Sequence, residues 1–412
     1  MALSVKVGSF TPNGSTGNQA ITGVGFQPKV VLFYGYRTGG GGWIEGFFGA
    51  ASSSTARWVS LYHHRDFADK VARKLNTGKC IEVTDHLSTN GSADFVSNDS
   101  DGFTINVTQS FSATSIAHYI AIGGTDVSAL VGSFDSNTTT GNQSVTGVGF
   151  QPKSVLFGFA AKNTTGALDA TASSLGVGWG LSSSSRGSTN HFINTDVSTN
   201  SQAIELTTRC IVHITAALAI DEEADYVSND ADGFTVNWVT KSATAIKIGY
   251  VALGGTAQYF AGSFNQPAST GNQAVTGTGF TPSLEVFLSQ GKAANASATA
   301  EGRIVVGGAT SSSNRGYKSV TMQNAVDSTT NPDFANGTTK TIRHLSTAGA
   351  TETEADFVSQ DADGFTVNWS TADATAREHI YLAVGAAAGG AGGQIPNWPT
   401  FQKNGFWAPQ LT

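Results

Sequence analysis

The chain has 412 residues, a formal net charge of -7, only 13% charged side chains and 49 glycines. This acidic balance, with no basic stripe, excludes binding through a nucleic-acid backbone. No stretch approaches the roughly 18 apolar residues of a membrane span, and nothing after Met1 has the charged-then-apolar pattern of a secretory signal, so a soluble product made without one is expected.

The first predicted element follows "VGSF" at Gly8, and an irregular phrase, "STGNQAITGVGFQP", then opens at Ser15. The phrase returns as "TTGNQSVTGVGFQP" from Thr139 and "STGNQAVTGTGFTP" from Ser269, after Gly132 and Gly262 have reopened the pattern. Each copy runs for about 130 residues, far beyond the 20–50 residue units of solenoids and propellers, so the copies are whole domains in tandem. "PKVVLFYGY", "PKSVLFGFA" and "PSLEVFLSQ" follow. Their continuous apolar runs fit central strands entered by a proline, where no ladder N–H is needed.

Further strands are expected at "WIEGFFGA", "ARWVSLYH", "KCIEVTDH" and "HYIAIGG", giving roughly eight or nine per copy. "RDFADKVARKL", from Arg65 to Leu75, has the spacing of a short helix and no counterpart in the other copies, so it is expected to be a loop insertion. Each copy closes on a hairpin, "DSDGFTINV" or "DADGFTVNW", with Gly102, Gly233 and Gly364 at a spacing of 131. Phe234, Val236 and Trp238 alternate with Thr235 and Asn237, the period of a half-buried strand, and the Asn, Asp and Gly before them suit a tight turn.

The expected fold is therefore all-β: three tandem β-sandwich domains of jelly-roll or Greek-key type at 1–127, 128–256 and 257–387, then a short extended tail at 388–412. That tail begins with the linker "AGGAGGQ" and carries Trp398, Phe401, Phe406 and Trp407 among prolines. Such apolar surface is expected to dock on a partner rather than stay in water.

Few residues point to chemistry. Cys80 and Cys210 occupy the same place in two copies, where the third has Thr341; equivalent positions in separate domains do not meet, so two free, buried thiols are expected. Asp230 and Asp232 before Gly233 suggest a calcium loop. Ser228 and Val239, however, would then stand where an EF-hand needs an Asp and a bidentate Glu, and a structural turn is preferred. Arg57, Arg186 and Arg315, each after a serine run and 129 residues apart, are possible ligand-binding residues for a sugar or phosphate group. The preferred alternative is that they brace a loop or pair with an Asp of their own hairpin. His63, His64 and Asp66 occur in one copy only and read as loop decoration without a nucleophile to serve. An acid pair for glycoside cleavage is not visible: the recurring acids, Asp94, Asp225 and Asp356 with Asp101, Asp232 and Asp363, flank a hairpin whose turn already explains them. No catalytic, metal or cofactor-binding residue is assigned, and no enzyme activity is expected.

"GSFTPNGSTGNQAITGVGFQPKVVLFYG", "GSFNQPASTGNQAVTGTGFTPSLEVFLS" and "ADFVSNDSDGFTINV" resemble the β-rich domains of tailed-phage virion proteins, above all minor tail proteins of phages infecting actinobacteria. The resemblance covers the three copies. The third departs from it with Thr278 and Thr281 where the others have Val and Gln, and the aromatic tail has no counterpart. The resemblance implies a non-enzymatic tail-tip, fibre or decoration component, located in the virion and assembled in the host cytoplasm. Its implied partners are other virion proteins, with a homotrimer expected from threefold or sixfold matching. The alternatives are a carbohydrate-binding adhesin with three pseudo-equivalent sites on host-surface glycan and, behind it, a polysaccharide depolymerase.

Overall fold

The computed structural model describes residues 2–39, 43–65, 70–84, 88–112, 115–160, 166–194, 201–215, 217–291, 298–322 and 333–388. Among these there is no helix, and strands account for most of the chain. In the first copy the strands are β1 (Leu3–Phe10), β2 (Gly17–Ile21), β3 (Pro28–Gly39), β4 (Trp43–Ala51), β5 (Arg57–Arg65), β6 (Lys70–Asn76), β7 (Ile81–Thr84), β8 (Thr89–Asp99), β9 (Gly102–Gln109) and β10 (Ile116–Gly124). They form a six-stranded antiparallel sheet, β1-β10-β3-β4-β5-β6, facing a four-stranded one, β2-β9-β8-β7.

The second copy repeats the pattern with β11 (Val127–Asp135), β12 (Gly141–Thr146), β13 (Pro152–Phe159), β14 (Ala172–Ser182), β15 (Ser185–Asn194), β16 (Ser201–Leu206), β17 (Ile211–Ile214), β18 (Ile220–Asp230), β19 (Gly233–Thr240) and β20 (Lys247–Gly255). The third uses β21 (Gln258–Asn265), β22 (Gly271–Thr276), β23 (Leu284–Ser289), β25 (Gly302–Ser311), β26 (Asn314–Met322), β27 (Asp333–Gly337), β28 (Ile342–Leu345), β29 (Thr351–Asp361), β30 (Gly364–Thr371) and β31 (Glu378–Gly385). A two-residue strand, β24 (Thr299–Ala300), leaves the third copy to pair with β16 of the second. The three tandem sandwiches expected from the repeats are thus present. The segment from Arg65 to Leu75, expected as a loop insertion with the spacing of a short helix, is strand over its described part: from Lys70 on, β6 pairs with β5, and Arg73 exchanges backbone hydrogen bonds with Asp169 of the second domain.

Each sandwich closes over its own aromatic core. Phe33, Phe103 and Tyr119 meet edge to face in the first domain, Phe157, Phe234 and Tyr250 in the second, and Phe287, Phe365 and Tyr381 in the third. Such pairs add about 0.5–1.5 kcal/mol each beyond area burial. The Phe of the closing "GFT" is therefore the centre of each core.

The other face of each six-stranded sheet is also buried, and all three such faces share one further core. Leu32, Tyr34, Phe48 and Trp58 of the first domain join Leu156, Val177 and Trp179 of the second and Val286, Val306 and Leu382 of the third. The first strand of every domain packs on the fifth-type strand of its neighbour in cyclic order: β11 on β5, β21 on β15, and β1 on β26. The sandwiches therefore close into a ring around a pseudo-threefold axis.

Each seam carries specific bonds. Between domains one and two, Trp58 Nε1 donates to Tyr250 O (3.1 Å) and Lys29 Nζ to Val127 O (2.5 Å). Between two and three, Lys153 Nζ donates to Ala257 O (3.2 Å) and Ser185 Oγ to Ala261 O (2.9 Å). Between three and one, Tyr34 donates its hydroxyl to Gly316 O (3.3 Å), and Asn336 bonds the Tyr36 hydroxyl.

Candidate functional site

Arg57, Arg186 and Arg315 stand at the start of β5, β15 and β26 and reach to the four-stranded sheet of their own domain. Nε donates to Gly78 O, Thr208 O and Thr339 O, each at 2.7 Å. Nη1 donates to Phe95 O, Tyr226 O and Phe357 O at 3.2, 3.2 and 3.1 Å, the carbonyls where β8, β18 and β29 bulge. Nη2 faces Asp94, Asp225 and Asp356 at 3.6, 3.1 and 3.2 Å. A guanidinium has five donors in a fixed fork, and here the fork holds the two sheets together.

Those same aspartates each take a second cation, Lys79, Arg209 or Lys340. The other acids of the hairpin are also engaged. Asp99, Asp230 and Asp361 accept from a Ser and a Thr hydroxyl apiece, as Asp230 does from Ser228 and Thr235 at 2.7 Å. Asp101, Asp232 and Asp363 accept the backbone N–H groups of Gly23 and Gly25, Gly147 and Gly149, and Gly277 and Gly279. In the first domain those two N–H groups hold the Asp101 carboxyl below its ordinary value.

The repeated phrase thereby has its explanation. "TGVG" is a loop whose two glycines take positive φ, near 77° and 87° in the first copy, so that both N–H groups point at one carboxylate. Gln143 and Gln273 of "GNQ" accept from Trp238 Nε1 and Trp369 Nε1 and donate to Asp135 O and Asn265 O.

His63 and His64 lie on β5, not on a loop, and both are buried; Asp66 is outside the described residues. Cys80 and Cys210 are free and buried, their thiols directed at Ala93 O and Ala224 O, and burial pushes both thiol pKa values up. Among the described residues no three His, Cys, Asp or Glu gather to hold a metal ion, and no helix is long and apolar enough to cross a membrane. Trp398, Phe401, Phe406 and Trp407 lie outside the described residues.

Two open depressions of about 340 and 440 Å³ meet at Gln27 and Lys29, the larger running over Pro28, Ala56, Ala129 and Leu130 at the seam of domains one and two.

Sequence reasoning missed a cluster of buried ionisable side chains where the three domains meet. Tyr62 and His64 come from β5, His191 from β15 and Lys318 from β26, and all are buried. The His191 ring stands edge-on to Tyr62 at 4.6 Å, and the Lys318 ammonium position lies 4.7 Å from the same ring. The signal was present: in "GYKSVTM" the two-residue period puts Lys318 on the face of Val320 and Met322, which is apolar and buried.

No protein-family model matches the chain, and no curated protein matches it. Among solved structures it aligns with a β-fructofuranosidase from Schwanniomyces occidentalis at 9% identity and a TM-score of 0.12, over 90% of this chain and 99% of that one. It also aligns with OmpT, an outer membrane protein of Vibrio cholerae, at 8% identity and a TM-score of 0.08, over 92% and 97%. Neither likeness carries an argument about fold or activity.

Proposed function

We propose that this chain is a non-enzymatic structural protein of a tailed-phage virion, a minor tail, tail-tip, fibre or decoration component. The observation that supports the reading most is the closed ring of three sandwiches. One chain presents three near-equivalent lobes about an axis, the geometry that a threefold or sixfold tail element can seat. The resemblance of its repeated phrases to minor tail proteins supplies the context. The recurring polar residues also support it, since the Arg, Asp and Gln of each copy are engaged in turns and in bracing one sheet to the other.

Cryo-electron microscopy and mass spectrometry of the purified particles encoded with this chain test the reading. The expected result is density for a three-lobed ring at a fixed position and the chain in stoichiometric amount. Particles from which it is absent overturn it.

A further inference from the structure

The ring has three seams. Domains one and two are joined by the chain between Gly124 and Val127, and domains two and three by the chain between Gly255 and Gln258. No described segment crosses the seam between domains three and one, where β26 and β25 pack on β1 and β3. Its closure is non-covalent.

That seam holds two basic groups without an acid. Lys318 is 1% exposed; its Nζ is 3.5 Å from Phe47 O across the seam, and the Tyr62 ring is its other neighbour. His118 of β10 is equally buried, stacked on Tyr34 at 5.3 Å beside Gly316 of β26, and the polar side chain that faces it is the neutral amide of Asn336, not an acid. His191 and His64 complete the junction.

The other ionisable groups around them supply no counter-charge. Burial keeps Tyr34, Tyr36 and Tyr62 neutral by raising their pKa values. Of the carboxylates on adjoining strands, Glu45 pairs with Arg37 and Glu205 accepts the Gln290 N–H. On β25, Arg303 is bound by Glu301 and Glu352. At the far end of the seam, Asp333 of β27 is itself pushed towards its neutral form.

We propose that the seam between the first and third domains is an acid-released latch: proton uptake by Lys318 and His118 opens the ring there while the three sandwiches stay folded.

The sign follows from linkage. Burial lowers Lys318 well below its ordinary 10.5, and His118 from 6.5 to about 4. The opened state therefore binds protons that the closed state refuses, and closure weakens as pH falls, below 10.5 for the lysine and between 6.5 and about 4 for the histidine. His64 and His191, lowered to about 4 and about 3, stand where the first and second domains meet and weaken that contact as pH falls. Glu205, raised by burial at the seam of domains two and three, acts in the opposite direction there. The first two domains stay joined by the chain between Gly124 and Val127 and the last two by that between Gly255 and Gln258, so the ring opens at the seam that no described segment spans.

The test places a donor and an acceptor dye on the full chain at Val96→Cys and Val358→Cys, which are 36% and 38% exposed, while the native thiols are buried. Val227→Cys with Val358→Cys is the control pair across the seam of domains two and three. Acidification is expected to lower energy transfer for the first pair while the control pair and the far-ultraviolet circular dichroism persist. Lys318→Met, and separately His118→Phe, which keeps the ring stack, should each move the midpoint down by about half a pH unit or more. Simultaneous loss of both transfers and of the dichroism, or an unmoved midpoint in both variants, overturns the latch. Should both variants fail to fold at pH 8, hydrogen exchange on the unaltered chain decides. Protection lost first on β1 and β26 as pH falls supports the latch, and uniform loss overturns it.

Discussion

The acids of the closing hairpin look like catalytic or calcium-binding residues when read alone, and the structure gives each a partner within its own domain: a cation, a pair of hydroxyls or a pair of backbone N–H groups. Asp232 accepts two N–H groups from a loop that glycine alone can form. Because the loop is exposed, water replaces part of what is lost, and Asp232→Ala should cost about 1 kcal/mol, read as a lower urea midpoint at unchanged slope. Gly233 is stricter. A Cβ there would stand 1.9 Å from Val145 O, at a φ of 153°, so Gly233→Ala should lower stability by about 3 kcal/mol or more. A melting temperature within about 2 °C of the parent would contradict that. The arginine forks belong to the same class: their donors face inward to carbonyls, and an Arg186→Ala chain should lose stability before any binding property.

At the scale of elements, what the sequence made legible was what repeats or alternates. The "GFTVNW" strand and its turn were readable because the two-residue period and the Asn-Asp-Gly chemistry agree. The β6 segment was not. Phe67, Val71 and Leu75 are spaced like a helical stripe, whereas the strand is fixed by pairing with β5 on one edge and by the bridge from Arg73 to Asp169 of the second domain on the other, which no local pattern reports. The second core was half legible: "VVLF" is apolar at every position because Val31 and Phe33 enter the sandwich while Val30 and Leu32 enter the axial core, and such a run signals burial on both faces. The lysine of "PKV" and "PKS" carries no local sign that it links to the next domain, as Lys29 and Lys153 do; the third copy writes Ser283 there. Trp58 fills the space over Gly158 and Gly249 of domain two. Its truncation to Ala should cost about 3–5 kcal/mol, measured by denaturant unfolding, and a loss under about 1 kcal/mol would show that the seam closes up around the gap.

For the whole molecule the central question is where the threefold resides. The sequence led us to expect a homotrimer, since tail elements match threefold or sixfold partners; a single chain does not test that, but it supplies a threefold internally. The face that three separate domains would use to associate is already consumed, because Leu156, Leu175, Val177, Trp179, Val251 and Leu253 of the second domain are buried against the other two. Apolar area of that kind stabilises by about 25 cal/mol per Å² when removed from water. The intact chain should therefore run as a single copy of 42.5 kDa in light scattering at neutral pH. The second domain cut out as 128–256 exposes the whole face and should self-associate, favouring trimers that rebuild the axial core, or precipitate. A cut domain that stays monomeric and folded would show that the axial core is a contact between independent domains rather than a shared core. An intact chain found as a trimer would instead place a second threefold interface on the outer surface of the ring, away from the axis.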